Sequence, residues 1–176
     1  MKLKSKEIKL IKSLGEFHDN LIRPFSVLLR KYENRDRAID NNGNYKFVAS
    51  LGQEIALNLL KIRKLFKYEP SFIDIGCGIG NITAIAKFLD FKASGIEINS
   101  FYSEIGNPYN KIENINIFDL NYLDKSVIFL YRPIHDMDKL FLHLKKICVK
   151  NTIIYSFGSI PNIGKSMLNN PFIVKI

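Results

Sequence analysis

Apolar positions along the chain change their rhythm near residue 70, and that change predicts the architecture. Before it the rhythm is helical. Leu3, Ile8, Leu10, Ile11 and Leu14 fall loosely on one helical face with lysines opposite, and Gly15 is placed to end that helix. Phe17, Leu21, Phe25 and Leu28 continue the helical spacing, with a break or a fresh start expected at Pro24. Ala38–Tyr45 (AIDNNGNY) reads as a turn-rich loop. A second helix is predicted from a capping pair, Ser50 with Gln53, and a stripe of Leu51, Ile55, Leu59, Ile62 and Phe66, closed by Pro70.

Beyond Pro70, short apolar runs of strand length alternate with helical patterns. The runs Phe72–Ile75, Ala93–Ile98, Ile115–Phe118, Val127–Tyr131 and Thr152–Phe157 read as strands. Ile82–Leu89 and Met137–Ile147 read as helices, and a short segment follows the second strand. Such alternation predicts an α/β fold: a mostly parallel sheet with helices on both faces. The expected division is an N-terminal helical extension, 1–49, and an α/β domain, 50–176.

Composition narrows the function classes. The 176 residues are 47% hydrophobic and 24% charged, the balance of an ordinary globular chain. No apolar run approaches the ~18 residues of a membrane span, and the first residues lack a signal-type apolar stretch, so a cytoplasmic protein with no membrane partner is expected. Cys77 and Cys148 suggest no disulfide framework, and His18, His135 and His143 are too scattered to build a metal site. The net charge of +9 is unevenly placed. Residues 1–69 hold 15 Lys and Arg against 8 Asp and Glu, which leaves the rest of the chain near neutral. That excess is either a solvated lysine-rich surface or a handle for phosphate backbones or an acidic partner.

The chemistry concentrates in FIDIGCGIGN, Phe72–Asn81. A buried strand runs into a turn with Gly76, Gly78 and Gly80, and a helix follows, aiming its free backbone N–H groups at whatever binds there. A dinucleotide fingerprint G-x-G-x-x-G would need glycine where Asn81 or Thr83 stands, and the Gly-Lys-Ser/Thr ending of a phosphate-cradling loop is absent. The pattern present is D-x-G-x-G-x-G, from Asp74 through Gly76 and Gly78 to Gly80.

This pattern resembles motif I of the class I, Rossmann-like S-adenosylmethionine-dependent methyltransferases, and the order of later elements extends the resemblance over roughly residues 50–157. The resemblance implies that the turn, Asp74, Gly76, Cys77, Gly78 and Gly80, lies against the methionine and ribose parts of S-adenosylmethionine. It implies a ribose-binding acid at the end of the second strand, which Glu97 matches. An acid after the third strand would receive the adenine amino group, which Asp119 matches, with Leu120 beside the ring. Cys77 stands at a variable position of the motif and reads as a small filler rather than a nucleophile.

Residues facing the acceptor follow the fourth strand in this family. Here they are Tyr131 and Arg132: Tyr131 either faces the methyl group or packs, and Arg132 either holds an acidic group of the substrate or forms a surface ion pair. Amino-directed nucleic-acid methyltransferases carry Asp/Asn-Pro-Pro-Tyr/Phe at this place. Tyr131-Arg132-Pro133-Ile134 departs from that, against N6-adenine or N4-cytosine as target, and Asn107–Tyr109 follows the wrong strand. Asp136 reads as a helix cap. The family sheet ends in an antiparallel hairpin, for which the residues after Phe157 are short, so a shortened C-terminal end with one further strand, Phe172–Ile176, is expected. The expectation is therefore a methyltransferase of open acceptor: protein, small molecule or RNA. The rival from another class is a non-catalytic binding module that uses its basic N-terminal part on nucleic acid or an acidic protein.

Overall fold

The computed structural model describes residues 4–32 (side chains to residue 20), 52–108, 110–131 and 133–176. The expectations for Ala38–Tyr45, Ser50, Leu51, Tyr109 and Arg132 lie outside these residues.

The elements run α1 (Ser5–Tyr32), α2 (Gly52–Arg63), β1 (Ser71–Ile75), α3 (Asn81–Phe88), β2 (Lys92–Glu97), α4 (Ser100–Gly106), β3 (Ile112–Asn114), a 3-10 turn (Ile117–Asp119), β4 (Val127–Leu130), α5 (Met137–Ile147), β5 (Ile153–Ser156), β6 (Lys165–Met167) and β7 (Asn170–Lys175). The seven strands form one sheet in the order β3-β2-β1-β4-β5-β7-β6. The first five are parallel, and β7 joins β5 antiparallel with β6 outside it. Strand order reverses between β1 and β4, so the tips of β1 and β2 open beside the switch point where ligands bind in such sheets.

Two-residue periodicity divides the core into two layers. Phe72, Val127, Phe129, Ile153, Tyr155 and Ile173 face α1, α2 and α3, together with Ile55, Leu59 and Ile85 from those helices. Ile73, Ile75, Ile128, Leu130, Ile154 and Val174 face the opposite side, where Leu140, Phe141, Leu144 and Ile147 of α5 cover them. Central strands covered on both faces read as continuous apolar runs, and those runs made them visible in the sequence.

Three local expectations are corrected. α1 does not stop at Gly15 or break at Pro24 but runs unbroken from Ser5 to Tyr32. Gly15 is a contact point: a Cβ there would collide with the Gln53 side chain of α2, and one at Gly52 would lie 2.6 Å from Cγ of the buried His18. Two glycines thus let α1 and α2 approach closely, while Ile11 and Leu14 join the core and Glu7 pairs with Lys64. Tertiary packing of this kind holds a helix that propensity alone would end.

The third strand is Ile112–Asn114, not Ile115–Phe118. Gly95, Ile96 and Glu97 of β2 take Ile112, Glu113 and Asn114 as partners, and the later apolar run folds into the 3-10 turn instead. At the C-terminal end both strands of a hairpin are present where one was expected. β6 and β7 are joined by a tight turn in which Leu168 and Asn169 take positive φ of 55° and 54°. The link from β5 to β6 contains no helix.

Candidate functional site

Strand parity turns Asp74 of β1 toward α3, and it is 2% exposed. Thr83, in the first turn of α3, donates Oγ1–H to Asp74 Oδ2 at 3.3 Å. Burial pushes the Asp74 carboxyl up to about 7; the Thr83 bond pulls the other way, and the nearby Glu97 charge adds to the rise. The turn that follows is pinned to β2, since Gly76 N–H and Cys77 N–H both donate to the Ile96 carbonyl, at 2.9 and 3.1 Å.

Gly76, Gly78 and Gly80 have positive φ of 71°, 56° and 81°. At two of them the chain itself occupies the room a side chain would need. A Cβ on Gly76 would lie 2.5 Å from Cβ of Pro133, which follows β4, and one on Gly80 would lie 2.8 Å from Asn110 Nδ2 and Ile112 Cδ1. The glycine pattern therefore serves close packing between strand ends as well as backbone conformation.

Glu97, the last residue of β2, is buried yet polar on both oxygens. Oε2 accepts from Gly78 N–H at 2.8 Å and Oε1 from Asn99 N–H at 2.9 Å. Burial raises its pKa, and the backbone donors of Asn99, Gly78 and Ile98 partly offset that rise. Glu97 thus ties the glycine turn to the link between β2 and α4. Asn114, ending β3, donates Nδ2 to the carbonyls of Glu97 and Ile98 at 2.8 and 3.0 Å, so three strand tips are bonded in sequence. Beside the acid, Ile98 is 48% exposed, an apolar side chain next to a polar cradle.

Cys77 points down from the turn into the sheet, where a Cβ on Gly95 would meet its Sγ at 2.5 Å. Burial pushes its thiol well above the ordinary cysteine range, and the carboxylates of Asp74 and Glu97 push further. Its place and its chemistry are those of packing.

Asp119 ends the 3-10 turn and is exposed, while Leu120 is half-buried against the core layer of α5. The turn is braced by α5: His143 Nε2–H donates to the Ile117 carbonyl at 3.0 Å, and its ring lies 5.1 Å from that of Phe118. Tyr131, following β4, is half-buried and sets its ring edge-on to Phe157 at 5.3 Å. Phe157 in turn meets Tyr155, whose hydroxyl accepts from Asn58 Nδ2 of α2 at 3.0 Å. Asp136 caps α5 through Lys139 N–H at 3.0 Å, as its position predicted.

Direct bonds therefore join Glu97 to the glycine turn, and Asp74 to Thr83 at the start of the helix that follows the turn. Asp119 and Leu120 follow β3 and Tyr131 follows β4. Sequence reasoning missed Thr83, Pro133, Asn110 and Ile98. Thr83 could have been found by helical phase, because it falls on the sheet-facing side of α3; nothing in the sequence brings Pro133 to Gly76. Among the described residues no group of three or more His, Cys, Asp or Glu could hold a metal ion, and no helix is long and apolar enough to cross a membrane.

No protein-family model matches this sequence, and no curated protein matches it either. Solved structures do match by shape. The plantazolicin methyltransferase BpumL, in complex with a monoazolic desmethylPZN analog and SAH, is 18% identical, with a TM-score of 0.51 over 86% of this chain and 60% of that one. An S-adenosylmethionine-dependent methyltransferase from Mesorhizobium loti is 12% identical, with a TM-score of 0.47 over 58% and 52%. One from Archaeoglobus fulgidus is 17% identical, with a TM-score of 0.45 over 58% and 50%. The chain spans about half the length of most such structures. Their likeness is one of fold: the chain has the Rossmann-like fold in which S-adenosylmethionine-dependent methyltransferases are built.

Proposed function

We propose that the protein is an S-adenosylmethionine-dependent methyltransferase whose acceptor is still to be identified. The observation that carries this reading is Glu97, a buried carboxylate at the tip of β2 bonded to the middle of the glycine turn. The residues present fit the cofactor. The Glu97 carboxylate, acceptor on both oxygens, keeps capacity beyond the backbone N–H groups it already holds, which suits it to accept from ribose hydroxyls. Exposed Ile98 supplies an apolar neighbour for a flat base. Exposed Asp119 can accept from an amino group, with Leu120 at hand for the ring. The backbone from Gly76 to Gly80 would border the methionine and ribose portions.

When bound, the cofactor supplies a methyl group on a sulfonium, and transfer needs an acceptor lined up behind that carbon. This chain's contribution is then positioning and exclusion of water rather than a dedicated acid or base. Asp74 is a positioning residue, holding Thr83 and the start of α3 beneath the turn. Tyr131 and Arg132 are the residues proposed on the acceptor side; the Tyr131 ring is steadied by Phe157. Tyr131→Phe keeps that packing and removes the hydroxyl, so turnover that falls with unchanged stability would assign the hydroxyl to the reaction.

Calorimetric titration with S-adenosylhomocysteine and with NAD tests the cofactor. Binding of the former is expected, and binding of NAD alone would overturn the proposal. Labelled methyl transfer into fractionated cell extract then separates protein, nucleic-acid and small-molecule acceptors.

A further inference from the structure

At the opposite edge of the sheet, where the parallel strands begin, each strand is entered past a lysine. Lys67 lies in the link from α2 to β1, and Lys92 opens β2 beside Ser71 of β1. Lys111 immediately precedes β3, its carbonyl accepting from Gly95 N–H at 2.8 Å. Lys125 stands two residues before β4, its carbonyl bonded at 2.9 Å to Thr152 Oγ1 at the foot of β5. Lys150 precedes β5, and Lys175 ends antiparallel β7 opposite Ile153, the first residue of β5. Five of these six are exposed and Lys125 is half-buried.

Lysine in the last turn of a helix is explained by the helix dipole. Sheets carry only a small net dipole, so the strand entries have no such cause. Across six neighbouring strands spaced ~4.8 Å apart, the lysines form an uneven row that spans about 24 Å, with Lys111 set higher than the entry of β2, level with Ser94. Glu69, Asp90, Glu113 and Asp124 interrupt it, Glu113 lying 4.0 Å from Lys111. The last turns of α2 and α5 flank it with Lys61, Arg63, Lys145 and Lys146. The two most exposed large apolar side chains among the described residues lie on this same edge. They are Tyr68 (63%), next to Lys67, and Tyr122 (67%), next to Leu123, whose N–H donates to the carbonyl of Ile147 at the end of α5.

We propose that this strand-entry edge binds a single-stranded nucleic acid, with the lysine row on the phosphates and Tyr68 and Tyr122 stacking on bases. A row of point charges flanked by aromatic rings suits a linear polyanion. Lysine, unlike arginine, offers no planar fork, so binding without sequence preference is expected. Apart from Lys111, whose neighbour Asn110 packs on Gly80, the surface lies across the sheet from the glycine turn, and it does not depend on the cofactor reading. It would tether the protein to its partner rather than present the acceptor.

Fluorescence anisotropy with labelled 15-mers of oligo(U) and oligo(dT) on the full chain, from 50 to 300 mM salt, tests this. If each lysine of the row neutralises one phosphate, the log–log salt slope is about −4, and it falls to about −2 in the Lys92→Gln/Lys125→Gln/Lys150→Gln variant. Tyr68→Ala and Tyr122→Ala should each weaken binding at least about fivefold. An unchanged urea midpoint and S-adenosylhomocysteine affinity in these variants would show that the fold and the other edge are intact. Binding of either oligomer with the expected slope upholds the proposal even if the cofactor titration fails. No binding at 50 mM salt, or the same slope in the triple variant, overturns it. So does capture by vesicles of phosphatidylserine and phosphatidylcholine with no oligonucleotide bound, which would make the edge a lipid-binding surface.

Discussion

Replacing Glu97 separates the two tasks the structure gives it. In Glu97→Ala the Gly78 and Asn99 N–H groups lose their acceptor, but the losses are unequal. Asn99 is exposed and can turn to water, whereas Gly78 is buried and cannot. An unpaired buried N–H costs about 1–3 kcal/mol, so a drop of that size in unfolding free energy is expected. Cofactor binding should suffer more. Two hydroxyl bonds to a carboxylate, at about 1.5–3 kcal/mol each, amount to roughly a hundredfold to ten-thousandfold in affinity. Glu97→Gln distinguishes the tasks. Its amide oxygen can keep the Gly78 bond, leaving the NH2 toward exposed Asn99, so stability should stay near that of the parent. Affinity should still fall at least about tenfold, because one acceptor and the charge are gone. Urea unfolding and calorimetry with S-adenosylhomocysteine on the three proteins measure both quantities. Parental affinity in Glu97→Gln would refute the ribose assignment, and a parental urea midpoint in Glu97→Ala would refute the clasp on the turn.

Gly76→Ala puts a methyl group against Pro133 at a φ of 71°, costing about 1–2 kcal/mol for the backbone alone, with cofactor affinity lost as well; Pro133→Gly in the same chain should restore part of the urea midpoint. Asp74 titrates at about 7 in the folded protein against an ordinary 3.8. A raised carboxyl contributes stability that is full below pH 4 and lost as pH rises through 7, on the order of 4 kcal/mol at most, so the stability difference between parent and Asp74→Asn should shrink over that window. A pH-independent difference would mean that Asp74 titrates normally. Glu97 is also shifted upward, so S-adenosylhomocysteine affinity should begin to fall at a higher pH than an ordinary glutamate would give; a titration series in pH reads this directly. Burial pushes the Cys77 thiol well up and the Cys148 thiol up to about 12, so an aromatic disulfide reagent at pH 8 should label neither quickly until urea exposes both. Rapid labelling of the folded protein at Cys77 would put that side chain on the ligand side of the turn.

The sheet's central strands were legible because burial on both faces leaves a near-continuous apolar run, as in Val127–Leu130 and, Asp74 apart, Phe72–Ile75. The helix Met137–Ile147 was legible to the residue, because Asp136 caps it and its apolar positions recur at helical phase. Within the site, the glycine turn and Glu97 could be found from local pattern and order along the chain. The clasp between them could not. It depends on β1 and β2 pairing in parallel, with Asp74 beside Gly95 and Ile75 beside Ile96, a register that no local pattern encodes.

The misplaced third strand shows what hydrophobic pattern measures. Ile115, Ile117 and Phe118 are more apolar than Ile112–Asn114, and by periodicity they should be the strand. A strand is defined by its ladder, however, and the available ladder on β2 spans only Gly95 to Glu97, whose partners are Ile112 to Asn114. Of these only Ile112 is buried, because the strand lies at the sheet's edge. The later apolar residues are then free to fold back beneath α5, where Ile117 is buried and Phe118 meets His143 and Lys139. Apolar pattern thus reports burial rather than pairing, and the two separate where an edge strand hands its core contribution to the turn behind it. The displacement has a consequence for the site. Asn114, not an apolar residue, ends the strand, and its side chain holds the backbone of Glu97 and Ile98 from the side. Asn114→Ala should therefore weaken cofactor binding without touching the cofactor, and Asn114→Asp should not rescue it, since the carbonyls of Glu97 and Ile98 need a donor that a carboxylate lacks.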